Sequence, residues 1–111
     1  MEMAFGSRKM QKLCDSAKEM RAKLGDRGAK VLQTRLAQLQ AAETLDDLGK
    51  LPGARCHELT GDRKGQLAVD LVHPRRLIFV PDHDPPPTKA DGGLDWKKVA
   101  KVLILEIDDY H

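Results

Sequence analysis

The sequence predicts an α+β fold in which an N-terminal helical hairpin packs on a mainly antiparallel sheet of about four to five strands, residues 1–111 forming one domain. Three observations carry that expectation. Apolar residues recur at three- and four-residue steps through the first part of the chain. After Pro52 the period changes to that of extended backbone. The run Val102, Leu103, Ile104, Leu105 and Ile107 then has the length and β-branched character of a central strand buried on both faces. Helices and strands segregated along a chain pack as separate layers.

Composition narrows the classes open to such a domain. A chain of 111 residues buries roughly two-thirds of the surface its unfolded form exposes, so it needs no staple. No run of about 20 apolar residues exists, and no membrane span is expected. Cys14 falls on an expected helix and Cys56 on an expected strand. With no signal-peptide pattern and no paired spacing, they suit reduced core thiols and a cytoplasmic location. Cys56 stands beside His57, but no second ligand group lies at metal spacing, and neither metal nor cofactor is expected. The net charge of +2 is unevenly spread: from Arg8 to Arg35, nine basic residues face only Asp15, Glu19 and Asp26. That distribution suits a polyanionic partner, and equally a solvated helix face.

Taken in order, Met3 to Phe5 reads as a short edge strand ended by Gly6. Ser7 stands at an N-cap position, and Met10, Leu13, Cys14, Ala17, Met20 and Leu24 form the stripe of a helix that Gly25 closes. Asp26 caps a second helix with the stripe Ala29, Leu32, Leu36 and Leu39, and so short a connection makes the two an antiparallel hairpin. Thr44 and Asp47 have capping-box spacing for one further turn through Leu48. Arg55 to Thr60, Gln66 to Val72 and Arg76 to Val80 then read as a meander of three strands joined by short turns. Pro81 to Asp95, with Pro85-Pro86-Pro87 and Gly92-Gly93, is a long irregular loop that cannot be strand.

Alternation assigns the faces. Leu67, Val69, Leu71, Leu77 and Phe79 go toward the helices, and Gln66, Ala68, Asp70, Arg76, Ile78 and Val80 go outward. On the last strand Leu103, Leu105, Ile107, Asp109 and His111 share one face, and Glu106, Asp108 and Tyr110 the other. A sheet surface with His57, Arg76, Asp109, Tyr110 and His111, beside a turn with Arg63 and Lys64, has the parts needed to cut RNA. Histidine titrates nearest neutrality, so His57 and His111 suit the base that takes a ribose 2′-hydroxyl proton and the acid that protonates the leaving 5′-oxygen. Guanidinium grips phosphate oxygens in pairs, which assigns Arg76, with Arg63 and Lys64, to substrate binding. Asp109 would orient His111, and Tyr110 would stack on a base or donate a hydrogen bond. Each residue also has a plainer reading: His57 as a surface residue, His73 as part of a turn, His83 between two aspartates as a weak metal mimic, Arg63-Lys64 as a charged hairpin tip.

Three segments together resemble a known family. Residues 55–66, Arg-Cys-His-Glu-Leu-Thr-Gly-Asp-Arg-Lys-Gly-Gln, are followed by Asp-Leu-Val-His-Pro-Arg-Arg-Leu-Ile-Phe at 70–79 and by Glu-Ile-Asp-Asp-Tyr-His at 106–111. This pattern is similar to the HigB-like branch of the RelE/ParE toxin superfamily, the plasmid maintenance system killer proteins, over nearly the whole chain. The resemblance implies the toxin of a type II toxin-antitoxin system, an mRNA interferase that cleaves mRNA in the ribosomal A site without a metal. It implies a helix-turn-helix antitoxin protein as partner, with DNA reached only through that antitoxin. It makes His57, Asp109, Tyr110 and His111 the catalytic positions and Arg76 the phosphate-binding arginine. Two departures stand out: Asp70 falls where many members carry an arginine, and the Pro81 to Asp95 loop is longer than in shorter members. The alternative expectation is a non-enzymatic toxin on the same fold, a ParE-like gyrase inhibitor, or an antitoxin-binding protein that has lost catalysis.

Overall fold

The computed structural model describes residues 1–109. Tyr110 and His111 lie outside the described residues. The described residues form an α+β fold, with a five-stranded mixed sheet and three helical segments. Strand β1 (Glu2–Phe5) leads into α1 (Arg8–Asp15), α2 (Ala17–Ala41) and α3 (Leu45–Gly49). Strands β2 (His57–Glu58), β3 (Leu67–Asp70), β4 (Arg75–Pro81) and β5 (Lys101–Asp109) complete it.

The helices divide differently from the stripe reading. Ser7 caps α1 by accepting from Met10 N at 3.2 Å, as its position suggested. The helix then stops at Asp15, because Ser16 adopts an extended conformation and its hydroxyl accepts from Glu19 N at 3.2 Å. A second N-cap inside one continuous apolar stripe restarts the helix without interrupting the pattern of buried residues. Gly25 interrupts the helix where the sequence suggested: at φ 77° and ψ 172° its backbone is not helical, a conformation open to glycine, and it divides α2 into two helical arms. The break at Ser16 is therefore additional to the one at Gly25. The turn through Leu48 forms as α3, with Thr44 N donating to Asp47 Oδ2 at 3.3 Å.

The sheet order is β1-β5-β4-β3-β2, with β1 parallel to β5 and every other neighbour antiparallel. β4, not β5, is therefore the middle strand, and β5 is interior because β1 covers its free edge. Strand bounds shift: β2 shrinks to two residues, β3 starts at Leu67, and β4 extends to Pro81, which pairs with Val102. A proline is tolerated there because it is the last position of the ladder. Leu32, Leu39, Leu45 and Leu48 from the helices meet Leu67, Val69, Leu77, Phe79, Val102 and Ile104 in one buried cluster. The inward assignments on β3 and β4 hold.

On β5 simple alternation fails at one place. The β4–β5 register steps between Ile78↔Glu106 and Phe79↔Ile104, which leaves Leu105 as the extra residue of a β-bulge. Val102 and Ile104 are fully buried, while Leu103 and Leu105 are half-exposed, so β5 is not buried on both faces. Leu103 shares a face with Glu106 and Asp108 rather than with Ile107. Among the described residues no helix is long and apolar enough to cross a membrane.

Candidate functional site

The sheet face away from the helices is organised in rows across the strands. His57, Ala68, Ile78 and Glu106 are successive partners in one row, and Asp70, Arg76 and Asp108 in the next. Ala68 and Ile78 are fully buried although they belong to the face opposite the helical core. Arg63 crosses this region. From the 3₁₀ turn at Gly61–Arg63, its Nη2 lies 2.5 Å from Glu106 Oε1 and 3.5 Å from Asp108 Oδ1 on β5. Its Nη1 donates to Gln66 Oε1 at 2.8 Å. The guanidinium is held firmly cationic by its bond to Glu106, with Asp108 adding to the effect.

Beside this network, near the His73-Pro74 turn, a pocket of about 140 Å³ is lined by Arg55, His57, Asp70, His73, Arg75 and Arg76. Adjacent strands β2, β3 and β4 bring His57 and Arg76 to it from positions 19 apart in the sequence, because both belong to outward rows. The His57 ring is exposed and its Nδ1 lies 2.8 Å from the Arg55 carbonyl oxygen. A carbonyl only accepts, so in the neutral ring Nδ1 carries the proton and Nε2 keeps its lone pair. Arg55 holds that carbonyl with a left-handed backbone, φ 48°, unusual for a side chain of its size.

Every arginine of the pocket has a carboxylate beside it. Arg55 Nε is 3.5 Å from Asp70 Oδ2, and Arg75 Nε is 3.4 Å from Asp109 Oδ1. Arg76 donates from Nε at 3.3 Å and Nη2 at 3.1 Å to Asp108 Oδ2. The arginines at Arg55 and Arg75 are accessible enough to exchange partners, whereas the Arg76 side chain is only 15 % exposed. Among the described residues the lining carries three guanidiniums against one carboxylate, Asp70, and two imidazoles. Guanidiniums in such a lining are able to pair with the oxygens of an anion such as phosphate.

Of the residues expected from sequence, His57 and Arg76 come together in this pocket. Asp109 faces Arg75 across the β4–β5 ladder and borders the site only through that arginine. Arg63 is committed to Glu106 and Asp108, so its guanidinium braces the sheet face instead of standing open at a turn. Lys64 borders a different depression, shared with Gly61, Pro86 and Gly93. Tyr110 and His111 lie outside the described residues. Sequence reasoning missed Arg55, Arg75 and His73 as pocket residues, and Asp108 as the partner of Arg76. Arg75 was detectable in principle as the neighbour of Arg76. Arg55 was detectable too, since two-residue alternation puts it on the face of His57.

The other candidates are accounted for by local structure. His83 Nε2 accepts from Ala100 N at 3.1 Å, which pins the start of the long loop to the approach of β5. Among the described residues no group of three or more His, Cys, Asp or Glu is placed to hold a metal. Burial pushes the Cys56 thiol up to about 12, with Glu58 adding to the shift, and Cys14 up to about 11, with Asp15 adding. Both sulfurs pack against the core as weakly reactive thiols. No protein-family model matches the chain, and no curated protein matches it.

Proposed function

We propose that the chain is a toxin of the RelE/ParE kind, HigB-like, acting as a ribosome-dependent endoribonuclease on mRNA. The observation that carries this reading is the pocket shared by His57, Arg55, Arg75 and Arg76: a base aimed outward beside a set of phosphate-binding groups. In the proposed step His57 Nε2 takes the proton of a ribose 2′-hydroxyl, and the freed oxygen attacks the adjacent phosphorus. The bond from phosphorus to the 5′-oxygen breaks as that oxygen takes a proton from an acid, the role the sequence assigns to His111. The products are a 2′,3′-cyclic phosphate and a 5′-hydroxyl. Arg76, with Arg75, stabilises the charge that gathers on the phosphate oxygens. The imidazole of His57 needs no metal for its part, and the proposed partners are a helix-turn-helix antitoxin, the ribosome and mRNA.

A second reading has its own support. Asp70 and Asp108 each hold an arginine of the pocket, which favours a protein that binds a partner on this surface without cutting RNA. Induction in bacteria followed by mapping of mRNA 5′ ends separates the two. Clustered cuts within translated codons support the nuclease; growth arrest without such cuts rejects it. His57→Gln should abolish the cuts, since a positioned base contributes about 10² to 10⁴ in rate. The fold should survive, because the ring is exposed.

A further inference from the structure

Two of the three pocket arginines are compensated from β5, Arg75 by Asp109 and Arg76 by Asp108. Asp108 and Glu106 reach the outward face of β5 together because the bulge at Leu105 resets the alternation there. Asp108 divides its two oxygens between two arginines. Oδ2 takes Arg76 at 3.1 Å, and Oδ1 stands 3.5 Å from Arg63. It is 25 % exposed, so water does not fully screen it from an anion beside Arg76.

We propose that Asp108 is a positioning residue that sets the anion affinity of the pocket: it orients Arg76 for phosphate while its own charge holds that affinity down. This rests on the phosphodiester-binding reading of the pocket. The physical basis is a competition. A phosphate at Arg76 must share or displace the Asp108 carboxylate, and the two negative charges repel at short range. Orientation needs only an acceptor oxygen, whereas the repulsion needs the charge, so the two effects separate in an amide. Asp108→Asn keeps an oxygen for the guanidinium and removes the repulsion. Glu106 carries the same charge on the same face, yet it pairs with Arg63, and its neutralisation acts on Arg76 only from a distance.

The test is binding of a 2′-O-methyl RNA oligonucleotide, whose blocked 2′-oxygen cannot be cleaved, followed by fluorescence anisotropy over a range of salt. Asp108→Asn is expected to tighten binding on the order of tenfold at low ionic strength. It should also steepen the dependence on log salt by about 0.7, one more phosphate neutralised on a single strand. Asp108→Thr, neutral and suited to a strand, must also tighten binding, and serves if the amide variant fails to fold. In an Arg76→Gln background the gain from Asp108→Asn should vanish. An unchanged or weaker affinity in both Asp108 variants overturns the inference. So does an equal gain from Glu106→Gln, or a gain that persists without Arg76. If the parent binds the oligonucleotide and Asp108→Asn leaves it unchanged, only this inference falls. If no variant binds, the phosphodiester-binding reading falls with it.

Discussion

Arg76 and Asp108 stand directly opposite each other on adjacent antiparallel strands, and the arginine gives two donors to one carboxylate oxygen, at 3.3 and 3.1 Å. The pair is the hinge between the stability of this sheet face and its chemistry. The pair is partly buried, so the cost of desolvating its charges offsets much of their attraction and its net contribution to folding is small. Its larger effect is on what else can approach the guanidinium. Four local features of the fold lead to measurable outcomes.

Arg35 ties the helical layer to the site. From α2 its Nε donates to the Asp70 carbonyl at 2.6 Å and its Nη2 to the Gly53 carbonyl at 2.7 Å. Both ends of the segment that carries Arg55 and His57 are thereby held by one planar fork. Arg35→Met should lower unfolding stability by about 2–3 kcal/mol, read as a fall in the denaturant midpoint. Arg35→Lys should not restore it, since a single ammonium cannot span both carbonyls. Full stability in the lysine variant would show that the fork is not what counts.

The left-handed Arg55 is a site where stability and binding pull apart. Arg55→Gly should gain about 0.5–1 kcal/mol, because the backbone at φ 48° disfavours a side chain and glycine accepts it. The same change removes a guanidinium from the pocket and should weaken binding of uncleavable RNA. Thermal unfolding and anisotropy on one preparation read both effects.

The two thiols predict a pH dependence with a definite sign. Both have native pKa values above the ordinary value of 9, about 11 for Cys14 and about 12 for Cys56, because burial disfavours the thiolate. Between pH 9 and 12 the unfolded chain therefore binds fewer thiol protons than the native one. Stability from this source is complete below pH 9 and falls as pH rises. Denaturant midpoints should decline across that window, and Cys56→Ala should flatten the decline. Iodoacetamide should label native protein slowly at pH 7.5, Cys14 ahead of Cys56.

Gly49 is required by a close approach. A Cβ built there would lie 2.8 Å from Trp96 Cζ3 and 3.1 Å from Cε3. The indole cannot easily retreat, since its Nε1 donates to Glu58 Oε2 at 3.0 Å beside the start of β3. Gly49→Ala should cost about 1–3 kcal/mol and shift the emission of the single tryptophan. An unshifted spectrum with unchanged stability would mean that α3 and the indole move apart without cost.

Much of this was legible beforehand. The inward residues of β3 and β4 follow from two-residue alternation, and the Ser7 cap and the turn after Thr44 follow from side chains that bond their own backbone. The Ser16 break was hidden because the apolar stripe runs through it without a change of phase. Glu106 and Asp108 were grouped on one face, but Leu103 was not placed with them, since a bulge is a mismatch between two strands and neither strand alone records it. The outward placing of His57 and Arg76 was visible in the pattern. Their common pocket depended on pairing.

Local chemistry, then, was determined by the sequence itself: where helices start, where extended chain begins, which residues a core claims, and which side chains suit phosphate. The tertiary structure alone decided that β4 is central, that Arg63 braces the sheet, and that each pocket arginine meets a carboxylate. The physical reason is range. Capping, periodicity and turn formation act within a few residues, whereas strand order, register and ion pairing join groups separated by tens of residues, and those pairings exist only once the sheet has closed on its core.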